Sequence, residues 1–418
     1  MPDKGSKFFY GYIMVAAAFA IMTLAWGSNR TFGVFVEPML EEFGWTRAAI
    51  SGSFTINMLV MGLLALVAGR LTDSLGPRIV LVGCGIFLGL AYILTSQVRA
   101  IWQFYFFYGM IGGVGMSGLL TPLMSVVVRW FLKSRSLMSG ILVAGPGLGN
   151  MIMPLACSFF ISSVGWRFTY LFLGIVVLVV IVLGALFIRR EPADVGLLPY
   201  GAGEGIIPGS NPQDTGFSLR MAIRTRQFWL INVLSFCDLF LINVLVVHIV
   251  IHAIDMQVPP TRAASVLSLA AGVSIPGRII MGGIADRIGN RLTLMICLAM
   301  SVSAFLLLLF ARGIGMLYLF AALYGIGLWS TGALVSPLIA DLFGLKSHAT
   351  LYSFAVFMSA LGSAAGPVIA GLLFDLTGKY SLAFILCLIV SLIAFLAVWY
   401  LRPLPPGGKQ KAAECLED

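Results

Sequence analysis

The chain has 418 residues, of which 60% are hydrophobic and only 10% are charged, and its net charge is +9. Soluble globular proteins carry about a quarter charged residues, so the composition excludes an ordinary soluble domain and points to an integral membrane protein. The basic excess by itself would also fit a nucleic-acid partner, and its placement along the chain decides between the two.

Apolar segments long enough to cross a hydrocarbon core of about 30 Å predict helices at 9–37, 47–70, 78–98, 101–131, 135–163 and 166–188. After a polar stretch they resume at 228–254, 261–285, 292–311, 314–342, 347–374 and 380–401. The first segment is too long for a signal peptide and no small-residue cleavage site follows it, so it reads as the first membrane helix. The stretch EPADVGLLPYGAGEGIIPGSNPQDTG (191–216) is rich in Gly, Pro and polar residues. The expected organisation is an all-α membrane protein of twelve transmembrane helices: a six-helix half over 1–190, a cytoplasmic connector over 191–227, a second six-helix half over 228–401 and a cytoplasmic tail over 402–418.

Between the helices, 18 Lys and Arg residues fall on the side that holds Lys4, Arg78, Arg129 and Arg291. Only 6 fall on the other side, which holds Arg47, Arg99, Arg167, Arg262, Arg312 and Lys379. This asymmetry is the positive-inside signal. It places both termini in the cytoplasm of a multi-pass protein of the plasma or inner membrane, and it accounts for the basic charge without nucleic acid. Of the six cysteines, Cys84, Cys157, Cys237, Cys297 and Cys387 fall inside helices and Cys415 in the tail. Their spacing suggests neither a metal site nor a disulfide framework.

The chain repeats itself. GRLTDSLGPR (69–78) and GGIADRIGNR (282–291) share Gly, Asp, Gly and Arg at the same spacing, 213 residues apart. Leu132-Lys133-Ser134 returns as Leu345-Lys346-Ser347, and Pro154 and Gly165 return as Pro367 and Gly378, all at the same offset. Thr46-Arg47-Ala48-Ala49 returns as Thr261-Arg262-Ala263-Ala264, and Tyr108-Gly109 as Tyr324-Gly325, at offsets of 215 and 216. An even number of crossings separates the copies, so the halves are parallel repeats. Such halves are expected to rock about a site near the bilayer midplane, which implies alternating-access transport. Asp73, Arg78, Asp286 and Arg291 read as gating and structural residues. The Asp at each helix end faces an Arg across a tight Gly turn, where it can pair charges and interact with neighbouring helix termini.

These loop sequences resemble the motif of the major facilitator superfamily. RWFLKSRSLMSGILVAGPGLG (129–149), EPADVGLLPYG (191–201) and the Arg278 helix are similar to its monocarboxylate transporter and oxalate–formate exchanger branch, over essentially all twelve spans. Within that branch the chain resembles bacterial proton-coupled lactate symporters. The resemblance implies the superfamily fold and transport of a small monocarboxylate with a proton.

Scaffold repeats, so charges that do not repeat are informative. Arg278 maps onto Ala65 in the first half, and it lies eight residues, about 12 Å, from Asp286 at the cytoplasmic helix end. A cation near the membrane centre is costly and usually faces a cavity or a partner. Its planar fork suits a carboxylate, and the resemblance implies the same substrate-binding role; the competing reading is a snorkelling or structurally paired arginine. Asp238 lies at a similar depth on the preceding helix. The resembled animal transporters associate proton coupling with an aspartate one turn before the arginine, where this chain has Ser274. Asp238 is therefore expected to carry the proton in its place, or else to be a structural carboxylate. A carboxylate competing for Arg278 would leave Asp238 a poorly solvated anion, which favours proton uptake, and linkage makes the effect reciprocal.

Other candidates follow from the resemblance and from depth counting. Asn29 and Arg30, in the outer half of the first helix, lie where a lysine matters for substrate access in animal relatives; an interface anchor is the alternative for Arg30. Ser336 takes a position where the family can carry a bulky aromatic, implying a roomier pocket. Leu24, Leu120, Gly145 and Phe357 fall at midplane depth, as pocket wall or as ordinary helix packing. His248 and His252, one turn apart towards the outer side, could form an outer proton path or merely pack.

The run Gly113-Val114-Gly115-Met116-Ser117-Gly118 fits G-x-G-x-x-G but lacks the strand–turn–helix context of a dinucleotide site. It reads as close helix packing. No nucleotide-binding loop, catalytic constellation, cofactor motif or metal motif is present, so an enzyme and an ATP-driven pump are both set aside. One midplane cation suits a single carboxylate, and residues 349–374 lack the lysine of the oxalate–formate relatives. The expected activity is proton-coupled symport of a small monocarboxylate, such as L-lactate or pyruvate, by a monomer in the bilayer. An organic-anion exchanger of the oxalate–formate type is the alternative.

Overall fold

The computed structural model describes residues 9–202 and 216–402. Lys4, Lys7, the middle of the connector and the tail beyond Arg402, with Lys409, Lys411 and Cys415, lie outside the described residues. Among the described residues there are twelve helices of membrane-crossing length and apolarity, and no strand. They are α1 (Tyr10–Phe43), α2 (Arg47–Leu75), α3 (Pro77–Thr95), α4 (Ile101–Trp130), α5 (Arg135–Val164), α6 (Trp166–Phe187), α7 (Arg226–Asp255), α8 (Pro260–Ile288), α9 (Asn290–Leu309), α10 (Ile314–Phe343), α11 (His348–Thr377) and α12 (Ser381–Trp399). In a medium without water each backbone donor and acceptor must be satisfied within the span, which is why long uninterrupted helices dominate.

Helix ends follow local chemistry. Thr46 accepts the Ala49 amide at 3.2 Å and Thr225 the Phe228 amide at 3.3 Å, capping α2 and α7. α2 and α8 run further than the hydropathy predicts, through Asp73 and Asp286, and stop at Gly76 and Gly289. Those two glycines have φ of +89° and +92°, a region that side chains rarely adopt. The loop motif is therefore the last helical turn, carrying the Asp, followed by a glycine that reverses the chain.

The described contacts divide the chain into two compact units, Met1–Lys133 with Ile141–Ile207 and Ser134–Gly140 with Pro208–Asp418. The first holds α1–α4, α6 and most of α5. The second holds α7–α12 and the opening turns of α5.

Each unit is sewn together by glycine contacts at matching places. A Cβ on Gly149 would collide with the Thr23 carbonyl, fixing α5 against α1; a Cβ on Gly362 would collide with the Phe236 carbonyl, fixing α11 against α7. Both members of the second pair are offset by 213 from the first. Likewise Gly109 seats α4 on Ser53 and Ile56 of α2, while Gly325 seats α10 on Ala270 and Val273 of α8. Without a hydrophobic force between helices in lipid, such close backbone approach is what holds them together. Gly113 and Gly115 serve the same end, against Asn57 of α2 and Leu88 of α3.

Candidate functional site

In the second unit the charges of Arg278 and Asp238 meet at a break in α10. Within the run Gly325-Ile-Gly-Leu-Trp-Ser-Thr-Gly332, α10 narrows to a 3₁₀ turn at Leu328–Ser330 before the α-helix resumes at Thr331. The turn rearranges the hydrogen-bond ladder, and two of its groups receive the charges. Arg278 Nε donates to the Trp329 carbonyl at 3.0 Å. The Thr331 hydroxyl donates to Asp238 Oδ1 and also lies 2.7 Å from the Leu328 carbonyl. A Cβ on Gly277, beside Arg278, would stand only 3.1 Å from Ile326 Cα, so α8 lies tight against α10 at this level.

Asp238 is 6% exposed and Thr331 is fully buried. Arg278 is half-buried and within electrostatic reach of Asp238. A buried charge is tolerated when it is paired and hydrogen-bonded, and the α10 turn supplies hydrogen bonds to both partners. Broken helices at corresponding positions of two repeats mark binding sites in transporters. α4 is also irregular, with a π-helical stretch at Tyr105–Ile111 and a turn at Gly118–Leu119, on either side of the α-helical residues that the repeat offset pairs with Leu328–Ser330. Trp329 and Thr331 escaped the sequence reading. Their signal was the spacing of Gly325, Gly327 and Gly332 within an apolar span.

The other candidates are placed as follows. Ser274 is buried and its hydroxyl donates to Ala271 O at 2.8 Å, so the family's aspartate position holds a helix-satisfied serine. Ser336 is fully buried and faces His348, whose Nε2 lies 3.3 Å from its Oγ and 3.0 Å from its carbonyl O. Phe357 is half-buried on α11. His248 sits between Tyr380 Oη at 3.2 Å and the Pro367 carbonyl at 3.1 Å, and His252 packs edge-on against Phe384 and Tyr380.

In the first unit Asn29 is buried, with Nδ2 donating to Asn57 Oδ1 at 3.2 Å while Asn57 Nδ2 donates to the Tyr108 carbonyl at 2.8 Å. Arg30 is exposed, at the point where α1 is interrupted by Thr31. Leu24 and Leu120 are half-buried, and Gly145 packs on the Phe19 carbonyl and Thr23 of α1. Thr23 Oγ1, Trp26 Nε1 and Asn29 Oδ1 follow one face of α1, and each is buried without a hydrogen-bond partner, as is Thr121 Oγ1 on α4. Asn29 was a candidate from the sequence, whereas Thr23, Trp26 and Thr121 were not.

Of the two contacts expected for the loop-motif charges, pairing across the glycine and interaction with neighbouring helix termini, Asp286 and Arg291 make the second. Asp286 accepts the backbone amides of Ser136 and Leu137, at 2.8 and 2.9 Å, in the opening turn of α5 that belongs to the second unit. A carboxylate there meets unsatisfied N–H groups and the positive end of the helix. Arg291 instead holds the carbonyls of Val398 and Trp399 at the end of α12, at 3.3 and 2.6 Å, where a cation is favoured for the converse reason. Asp73 lies 3.9 Å from Arg129, which also pairs with Glu191 at 3.3 Å, and the Asp73 carbonyl accepts from Arg190 at 2.9 Å. Arg78 is half-buried at the start of α3. Helix termini, rather than their motif partners, therefore hold Asp286 and Arg291.

The family model of the Major Facilitator Superfamily matches residues 15–283 and 228–415. The chain is 26% identical over 391 residues to monocarboxylate transporter 13 of Bos taurus, covering 92% of this chain and 86% of that one. It is 25% identical over 427 residues to monocarboxylate transporter 11 of Homo sapiens, covering 97% and 85%. Its fold is similar to the crystal structure of the human organic anion transporter MFSD10, with a TM-score of 0.71 over 93% of this chain and 99% of that one, at 16% identity. The twelve apolar helices, the two parallel repeats and these matches identify a multi-pass membrane transporter rather than an enzyme: the chain belongs to the Major Facilitator Superfamily, in its monocarboxylate transporter-like branch.

Proposed function

We propose that the protein carries small monocarboxylates, such as L-lactate or pyruvate, together with a proton across the plasma or inner membrane by alternating access. The observation that carries this reading is the convergence of one cation, Arg278, and one acid, Asp238, on the same broken turn of α10. With the site empty the pair is neutral and can change orientation at modest electrostatic cost. A substrate carboxylate competes for the guanidinium, whose Nε the Trp329 carbonyl holds in place. Asp238, buried and now short of its counter-charge, takes up a proton, and the loaded site is again neutral. The names of the curated relatives support a monocarboxylate as cargo.

In this reading Arg278 binds substrate and Asp238 carries the proton. Ser274, Leu24, Leu120, Gly145, Phe357, Ser336 and Asn29 shape the binding region, and Asp73, Arg78, Asp286 and Arg291 govern opening and closing. Both termini are cytoplasmic and the working unit is the monomer. The second reading is an organic-anion exchanger, favoured by Arg30, an exposed second cation. The test is uptake of L-lactate into proteoliposomes under an imposed pH gradient. Symport acidifies the lumen with no counter-anion inside, exchange requires one, and Arg278→Ala abolishes either. Uptake and affinity unchanged in Arg278→Ala would refute the assignment.

A further inference from the structure

Thr331 has one hydroxyl proton and two acceptors, Asp238 Oδ1 and the Leu328 carbonyl. A hydroxyl donates once, and an ionised carboxylate can only accept. While Asp238 is charged, the Thr331 proton therefore points to it, and the Leu328 carbonyl keeps the backbone amide of Thr331. When Asp238 gains a proton from the aqueous side, its own O–H donates to Thr331 Oγ1. The Thr331 proton then turns to the Leu328 carbonyl, and the 3₁₀ turn gains a hydrogen bond. No proton passes through Thr331; its hydroxyl only rotates. The same turn presents the Trp329 carbonyl to Arg278.

We propose that Thr331 is a positioning residue that reads the protonation state of Asp238 and passes it to the turn of α10 that holds Arg278. Proton loading and the hold on the anion-binding arginine thus share one structural element. Arg278 of α8 is the group whose charge acts on Asp238, and the charge of Asp238 is in turn felt by the neutral Cys297 of α9, Tyr324 of α10, Tyr352 of α11 and the adjacent Cys237. This inference rests on the proposed role of Asp238 as proton carrier and goes beyond it in naming the group that responds.

The test compares L-lactate accumulation driven by an imposed pH gradient with L-lactate counterflow, in proteoliposomes of the full chain. Thr331→Val, with the same shape and no hydroxyl, is expected to lower the ratio of the two rates about tenfold, the change that loss of one hydrogen bond to a charged group produces. The pH profile of net uptake should flatten at the same time. Thr331→Ser is expected to restore the ratio to within about twofold of the original, and Thr331→Ala to behave like Thr331→Val should the valine protein not reconstitute. An unchanged ratio in Thr331→Val, or a ratio in Thr331→Ser as low as in Thr331→Val, would overturn the proposal. Asp238→Asn separates the two levels. If it keeps gradient-driven accumulation, the carrier assignment falls; if it loses accumulation while Thr331→Val does not, the relay alone falls.

Discussion

Removing the Arg278 charge should destabilise the protein through Asp238, and removing both charges should restore it. Asp238 is 6% exposed, and in Arg278→Ala its carboxylate would keep only the Thr331 hydroxyl bond. Stranding one member of a buried pair costs about 3–5 kcal/mol. The surviving hydroxyl bond and the partial exposure of Arg278 put the expected loss near the lower end, about 3 kcal/mol. For a chain of 418 residues a loss of that size lowers the unfolding midpoint by about 3 °C. In Arg278→Ala/Asp238→Asn no charge is left to strand, so the midpoint should recover most of that difference although neither protein accumulates substrate. The assay is thermal unfolding of the purified proteins in one detergent at neutral pH, completed by Asp238→Asn alone as the fourth corner of a double-mutant cycle. A double variant no more stable than Arg278→Ala would show that the two groups are energetically independent, and the neutral-pair account of transport would fail with them.

Arg278→Lys keeps the charge but loses the planar fork and the Nε donor to Trp329. Its unfolding midpoint should stay close to the original while its dissociation constant for L-lactate rises about tenfold or more, the cost of one charge-assisted hydrogen bond, measured by ligand-induced thermal shift. Gly149→Ala and Gly362→Ala press a methyl on the Thr23 and Phe236 carbonyls. Each should cost about 1–3 kcal/mol, whereas Gly83→Ala, with open space around it, should be nearly neutral in the same unfolding measurement. Asp286→Ala removes the acceptor for the Ser136 and Leu137 amides and should cost about 0.5–2 kcal/mol, as a lost helix cap does, with a lower rate of L-lactate counterflow.

The parts of this molecule that could be read from its sequence are those where the membrane makes an error expensive. All twelve spans were legible, because a polar residue in lipid costs several kcal/mol and apolar runs of this length have no other use. Arg278 and Asp238 stood out for the same reason, each a charge with no counterpart in the other repeat. The repeat itself was legible in its glycines, and the structure gives the cause: Gly149 and Gly362, 213 residues apart, make the same backbone contact. What could not be read depends on which way a hydrogen bond turns. Arg291 reaches carbonyls 107 and 108 residues away in α12, although Asp286 is only five positions off in sequence. Ser336, placed by depth alone, has His348 on the next helix as its partner. Depth along a helix is fixed by counting at 1.5 Å per residue, but the face a residue presents depends on neighbours that the count does not contain. The broken turn of α10 is the sharpest instance: Trp329 and Thr331 looked like ordinary span residues, yet once the ladder shifts at Leu328 they hold both Arg278 and Asp238. A feature that a uniform helix would hide becomes functional through its irregularity, which is why α4 and α10, the irregular helices of the two repeats, are where further site residues should be sought.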